Sequence, residues 1–238
     1  VRSQRELAIS TRLADARGRQ VAFVSHCLLN ENTRYLGGAF HPGAVPEIIE
    51  LQRRGIGIHQ MRCPEQRAWG GALKRYMLLA YGSKGTLLYR LRRPLLRLFT
   101  WYTRSIYWRL ARAVVKEIED YERSGIRVIG IVGVGASPSC GVTTTLDLRR
   151  SFEVIASCPV AGLERDTFNE RAVADCRIVG EGLFIRTLKR QLSRRQIEVP
   201  LLEHDLVAEM HGDPQVSLEV LAGPSGDASA RRPWSAAQ

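Results

Sequence analysis

The 238 residues carry 35 Lys and Arg against 24 Asp and Glu, a net charge of +11, and are 45% hydrophobic, enough to bury a full core in one domain or one domain with extensions. No run of 18 apolar residues and no charged, apolar and small-residue order at the N-terminus occurs, so neither a spanning helix nor a signal peptide is expected, and a cytoplasmic protein is. Five irregularly spaced cysteines argue against a disulfide framework and for reduced thiols.

In chain order, residues 3–17 place Leu7, Ile9, Leu13 and Ala16 among charges, the pattern of a short surface helix against the sheet edge, ended by Gly18. A strand over 20–25 then runs into His26-Cys27-Leu28-Leu29-Asn30. The following loop, 30–42, is polar and Gly-rich, with Arg34 and Tyr35 facing whatever Cys27 faces. Val45, Ile48, Ile49 and Leu51 predict a helix over 44–54, capped by Gly55. A second strand over 56–61 runs into Arg62-Cys63-Pro64-Glu65, completing a right-handed crossover.

Residues 72–81 supply at most a helical turn or two. Residues 91–123 repeat Leu95, Leu98, Trp101, Tyr102, Ile106, Leu110, Val114 and Ile118 at near-helical spacing, closed by Gly125. This second crossover returns the chain to a buried strand over 126–132 that ends in Ser137-Pro138-Ser139-Cys140-Gly141. Gly133-Val134-Gly135 lies between them as a partial phosphate cradle without the full fingerprint. Cys158-Pro159 marks a loop, 180–195 a helix opened by Gly180-Glu181-Gly182-Leu183, and 197–202 a last strand. The expected fold is α/β and Rossmann-like or flavodoxin-like, a mostly parallel sheet with helices on both faces. One domain spans 1–210, with a basic helical insertion at about 72–123, and a mobile tail follows over 211–238.

Ligands in open parallel sheets gather outside the carboxyl ends of the strands, so three strand-end cysteines, 36 and 77 residues apart, are candidates for one site. Taken singly, each is a small core residue, the reading kept for Cys158 and Cys176. Shared position and rigid neighbours set Cys27, Cys63 and Cys140 apart. Three thiolates can hold zinc with an open fourth position, or an iron-sulfur cluster whose fourth iron has no protein ligand. Glu65 stands beside them as a general acid or base, Ser137 and Ser139 offer hydroxyls, and His26 and His59 are titratable neighbours.

Taken together, Val24-Ser25-His26-Cys27-Leu28-Leu29 with Arg34-Tyr35, then Cys63-Pro64-Glu65, then Ser137-Pro138-Ser139-Cys140-Gly141, resemble in order the motifs of the 2-thiouracil desulfurase family and its desulfidase relatives. The likeness spans residues 21–142, and Gly180-Glu181-Gly182-Leu183-Phe184-Ile185 resembles the family's later helix start. It implies a 4Fe-4S cluster on Cys27, Cys63 and Cys140, with the open iron binding sulfur from a small thiolated substrate. It also implies catalytic roles for Glu65 and Ser137, with His26, Arg34, Tyr35 and Ser139 toward the substrate. The chain departs from the family pattern at Leu36, where an aspartate is usual, and over 66–71 after Cys-Pro-Glu. These departures set it nearer the desulfidase branch than thiouracil itself.

The basic excess is local. No acidic residue lies between Glu65 and Glu117, whereas twelve Lys and Arg do; without those twelve, 23 basic residues face 24 acidic ones. Over 82–116, arginines alternate with Trp101, Trp108, Tyr89, Tyr102, Tyr107 and Phe99. That pattern suits an anionic partner such as RNA, a nucleotide or an acidic membrane surface. It equally suits a helix whose aromatic stripe packs on the sheet while its arginines meet solvent. A binding module using this segment, with a structural or regulatory metal on the cysteines, is thus the alternative to the enzyme.

Overall fold

The computed structural model describes residues 4–212. The chain runs α1 (Gln4–Arg12), β1 (Gln20–Ser25), α2 (His26–Leu29), α3 (Pro46–Arg53), β2 (Gly57–Met61), α4 (Pro64–Ala68), α5 (Arg75–Leu78), α6 (Leu87–Arg90), α7 (Arg92–Arg123) and β3 (Arg127–Val134). It continues through β4 (Thr144–Leu146), α8 (Leu148–Ser157), α9 (Arg165–Cys176), β5 (Arg177–Val179), α10 (Leu183–Arg194), β6 (Leu201–His204) and α11 (Leu206–Met210). Four strands form one parallel sheet in the order β2-β1-β3-β6, and β4 pairs with β5 in an antiparallel ribbon. This is the α/β, Rossmann-like architecture that the alternation of strands and helices predicts.

The central strands are apolar because both faces are covered. Val21 to Val24 and Val128 to Val134 are buried throughout, as strands sandwiched between helical layers require. Right-handed crossovers place α3 on one face, since β1 to β2 moves one way across the sheet. They place α7 and α10 on the other, since β2 to β3 to β6 moves the opposite way. Accordingly α10 packs along α7. The inward stripe of α7 is Thr103, Tyr107, Ala111, Val114, Val115 and Ile118, all buried.

Three expectations shift. The last strand begins at Leu201, because Pro200 lacks the N–H a ladder needs and contributes only its carbonyl, to Ile131 N. Gly133 and Val134 extend β3 and form no phosphate cradle; a Cβ on Gly133 would stand 2.3 Å from the Cys140 carbonyl oxygen. α1 leaves Ile9 about half exposed, so it covers the sheet edge only loosely. The expected tail lies outside the described residues from 213 onward, whereas 206–210 form α11. Among the described residues no helix is long and apolar enough to cross a membrane.

Candidate functional site

The winding direction reverses at β1, so the crevice outside the carboxyl ends of β1 and β3 is where a ligand is expected. A cavity of about 150 Å³ opens there, and Cys27, Cys63 and Cys140 all line it. A cavity of this size accommodates a benzene-sized ring. Its charged groups are Glu65, Lys74 and Arg34, with Ser137 among its polar ones, while Trp69 and Phe40 contribute apolar walls.

Each thiol is delivered by a different local device. Cys27 is the second residue of α2, which follows β1 directly, and Cys63 caps α4, its sulfur accepting the Gln66 N–H at 3.4 Å with Pro64 starting the helix. Cys140 sits in a loop folded back on its own strand, where its carbonyl accepts the Val134 N–H at 2.9 Å. Burial is the largest influence on all three thiols and raises each. Cys27 is pushed up against the opposing pull of Arg34 and Lys74, Cys63 rises to about 12 with Glu65 adding to the effect, and Cys140 is raised further by Cys27 and Cys63. All three are therefore neutral near pH 7 in the metal-free chain, and any soft cation entering must displace their protons.

The loop that carries Cys140 is braced from several directions. Ala136 takes a left-handed conformation, φ +53°, held by its N–H donating to Thr144 Oγ1 at 3.1 Å. The Ser137 hydroxyl oxygen accepts the N–H groups of Ser139 (3.3 Å) and Cys140 (3.0 Å). Glu203, at the end of β6, accepts the N–H groups of Val142, Thr143 and Thr144 and the hydroxyls of Thr143 and Thr144. Desolvation pushes the Glu203 carboxyl up, but these donors, the Thr143 hydroxyl foremost, hold it below its ordinary value. The start of α10 completes the brace: Leu183, Phe184 and Ile185 donate to the carbonyls of Pro138 and Ser139. Gly182 is necessary there, since a Cβ would meet the Ser139 carbonyl oxygen at 2.4 Å.

Two charged groups were not singled out by sequence: Lys74, which lines the cavity, and Glu209, which lies behind Arg34 outside the lining. The Lys74 ammonium, buried, donates to the Thr33 carbonyl at 2.7 Å and stands 3.4 Å from Glu65 Oε2. On the other side Ser137 Oγ approaches Glu65 Oε1 at 3.5 Å. Glu65 is thus bracketed by an ammonium and a hydroxyl. Glu209, from α11, accepts from Arg34 Nη1 at 2.6 Å, lies 2.6 Å from His204 Nε2 and 2.9 Å from His41 Nε2, and is buried. Desolvation raises its carboxyl, yet the hydrogen bonds from His204 and Arg34 more than offset that, and it falls to about 2. Arg34 also donates to the Gly38 and Cys27 carbonyls, while its buried Nη2 has no partner among the described residues.

Tyr35 lines the cavity and donates through its hydroxyl to Asn169 Oδ1 at 3.0 Å; burial raises it to about 12. His26 and Ser139 do not line the cavity. The His26 ring is half-buried, and burial lowers its affinity for a proton. Ser139 is fully buried, its hydroxyl 2.5 Å from that of Tyr107, so it secures the loop to α7. His59 stacks on Phe23 with centroids 4.3 Å apart and pairs with Glu117 at 3.0 Å. Leu36, where the resembled pattern has an aspartate, is exposed and is not part of the cavity lining. Cys176, assigned to the core by sequence, is buried and does reach the cavity wall.

Three soft thiols on one cavity, with the Arg34 and Lys74 cations to offset thiolate charge and an unpartnered guanidinium N–H, fit an iron-sulfur cluster in donor chemistry. Among the described residues no three His, Cys, Asp or Glu side chains close around one point as ligands of a single ion do. No family model and no solved structure matches the chain. An uncharacterised protein of Methanocaldococcus jannaschii is 24% identical over 127 residues, which cover 53% of this chain and 70% of that protein. Similarity at that level names no activity, so the functional reading rests on the site itself.

Proposed function

We propose that this chain is a desulfidase that hydrolyses a small thiocarbonyl compound to its carbonyl counterpart, water supplying oxygen and sulfur leaving as sulfide, with no net oxidation. The observation that carries the reading is the convergence of Cys27, Cys63 and Cys140 on the cavity that also holds Glu65, Lys74 and Ser137. The three cysteines would hold a 4Fe-4S cluster, which when bound supplies an iron without a protein ligand as a soft Lewis acid for sulfur.

The chain's own groups have separable tasks. Glu65 is placed to take a proton from water and return it to the leaving group, with Lys74 and Ser137 fixing the direction of its two oxygens. Arg34 offers Nη2 to a polar ring substituent, its position set by Glu209. Trp69, Phe40 and Tyr35 restrict water to what the reaction uses.

The decisive experiment is anaerobic purification with iron and sulfide analysis, followed by sulfide release from a panel of thiocarbonyl heterocycles. About four irons and four sulfides per chain are expected, lost in Cys63→Ser, with activity lost but iron retained in Glu65→Gln. A chain that takes up no iron on anaerobic reconstitution, or that binds one zinc, overturns the reading.

A further inference from the structure

α7 has two apolar faces at its start where a crossover helix needs one. Phe99, Thr103 and Tyr107 turn inward, Phe99 packing on Trp69 and Phe152. On the opposite side Leu91, Leu95, Leu98, Trp101 and Tyr102 stand in solvent, with Leu98 62% and Trp101 69% exposed. Leu87 of α6 extends the same surface. These residues repeat at i, i+4, i+7, i+10 and i+11, one continuous helical stripe.

Beside the stripe, between the first turns of α7 and α8, lies a groove of about 270 Å³ whose polar lining is Arg92, Arg93, Arg97, Thr100, Arg149 and the carboxylate of Glu153. Arg92 is paired with Glu153 at 3.0 Å. Among the described residues the side chains of Arg93, Arg97 and Arg149 have neither an ion pair nor a hydrogen bond. Further along α7 the outward face carries Arg109, Arg112 and Lys116, and the whole span 66–116 has no acidic residue.

We propose that this face docks the protein on an anionic lipid surface: the leucines, Trp101 and Tyr102 enter the headgroup–acyl boundary, and the arginine groove receives lipid phosphates. A helix lying in the interface needs this pairing of a Leu/Trp face with Lys/Arg flanks, and arginine stems bury their methylenes while the guanidinium reaches phosphate. A second copy of the chain is the poorer occupant, because two faces each carrying Arg93, Arg97, Arg149, Arg109, Arg112 and Lys116, with Glu153 already paired to Arg92, would repel. RNA would engage the arginines and rings but leave the exposed leucines without a partner. The inference is independent of the reaction at the cysteines.

The test is co-sedimentation of the full chain with vesicles of phosphatidylcholine, alone or mixed equally with phosphatidylserine, at low and physiological salt. Binding is expected only to the mixed vesicles and to weaken with salt. Leu98→Glu with Trp101→Glu should cut it roughly tenfold or more without shifting the melting temperature, both sites being solvent-exposed. Arg93→Gln with Arg97→Gln should reduce the preference for phosphatidylserine. Equal binding to both vesicle types, or none, overturns the proposal. So does tight binding to single-stranded RNA with no vesicle binding, or a dimer in solution that Leu98→Glu dissociates.

Discussion

At the residue scale the decisive groups are the cations that face the cysteine cavity. Lys74 is buried in left-handed backbone, φ +51°, so that its ammonium can reach both Thr33 and Glu65. Replacing it by Met leaves Glu65 without its counter-charge. We expect Lys74→Met to lower stability by about 3 kcal/mol, measured by urea unfolding, and to reduce turnover while Lys74→Arg keeps more of it. Glu209 gives a pH signature. Its carboxyl is depressed from 4.5 to about 2, so its stabilising contribution is complete above its ordinary value and is lost as pH falls from there toward the folded value. Wild type should lose melting temperature over that acidic window, whereas Glu209→Gln should start lower, by about 3–5 kcal/mol, and show a flatter acid limb. The cysteines, Glu65, Arg34 and Tyr35 were legible in sequence because each follows a strand end. Lys74 was not, since it is one of twelve cations in an acid-free span, and only its turn distinguishes it. Glu203 was hidden because its partners are about sixty residues away, and Glu209 because its cavity-side partner Arg34 is 175 residues away, its neighbour His204 giving no site signal of its own.

At the scale of elements, α10 and α7 act on the site through a single loop. The first N–H groups of α10 are satisfied by the carbonyls of the Cys140 loop, an unusual way to close a helix start that otherwise needs a side-chain cap. Gly182→Ala puts a methyl 2.4 Å from the Ser139 carbonyl oxygen, so the loop must move. The expected outcome is a folded chain, destabilised by about 1–3 kcal/mol, with impaired metal uptake on anaerobic reconstitution. Tyr107→Phe removes the hydroxyl partner of fully buried Ser139; a loss of about 1–3 kcal/mol is expected in thermal or urea unfolding. The helix periodicity announced α7 to within a residue of its start, but of the residues that announced it only Val114 and Ile118 are buried, Ile106 and Leu110 pack partly on the core, and Leu95, Leu98, Trp101 and Tyr102 stand in solvent. What periodicity could not show was that the outward half is apolar as well, because period 3.6 reports spacing and not which side meets the sheet.

At the scale of the molecule, the strand order sets the site. β1 lies between β2 and β3, so the residues following all three strands converge at one sheet edge although the sequence disperses them. Crossover handedness then sends α7, which carries seven of the twelve cations of the acid-free span, to one face. The parallel sheet was readable from three apolar runs ending in Cys-bearing turns. The antiparallel ribbon of β4 and β5 was not, as three-residue strands carry almost no period of their own.

The Glu203 brace also imposes a schedule. Cys27, Cys63 and Cys140 are all synthesised before residue 203, yet the loop around Cys140 gains its five-donor clamp only when β6 pairs with β3. On the ribosome, the nascent chain therefore carries three thiols for some seconds, at about 5–20 residues per second, without the strand that closes their cavity. Any loading machinery that acts during translation would meet an open and unclamped thiol set; one that acts afterwards meets a finished cavity. A chain arrested at residue 200 should accordingly show Cys140 alkylated faster than in the complete protein, the difference reporting how much of the site's closure belongs to the last strand.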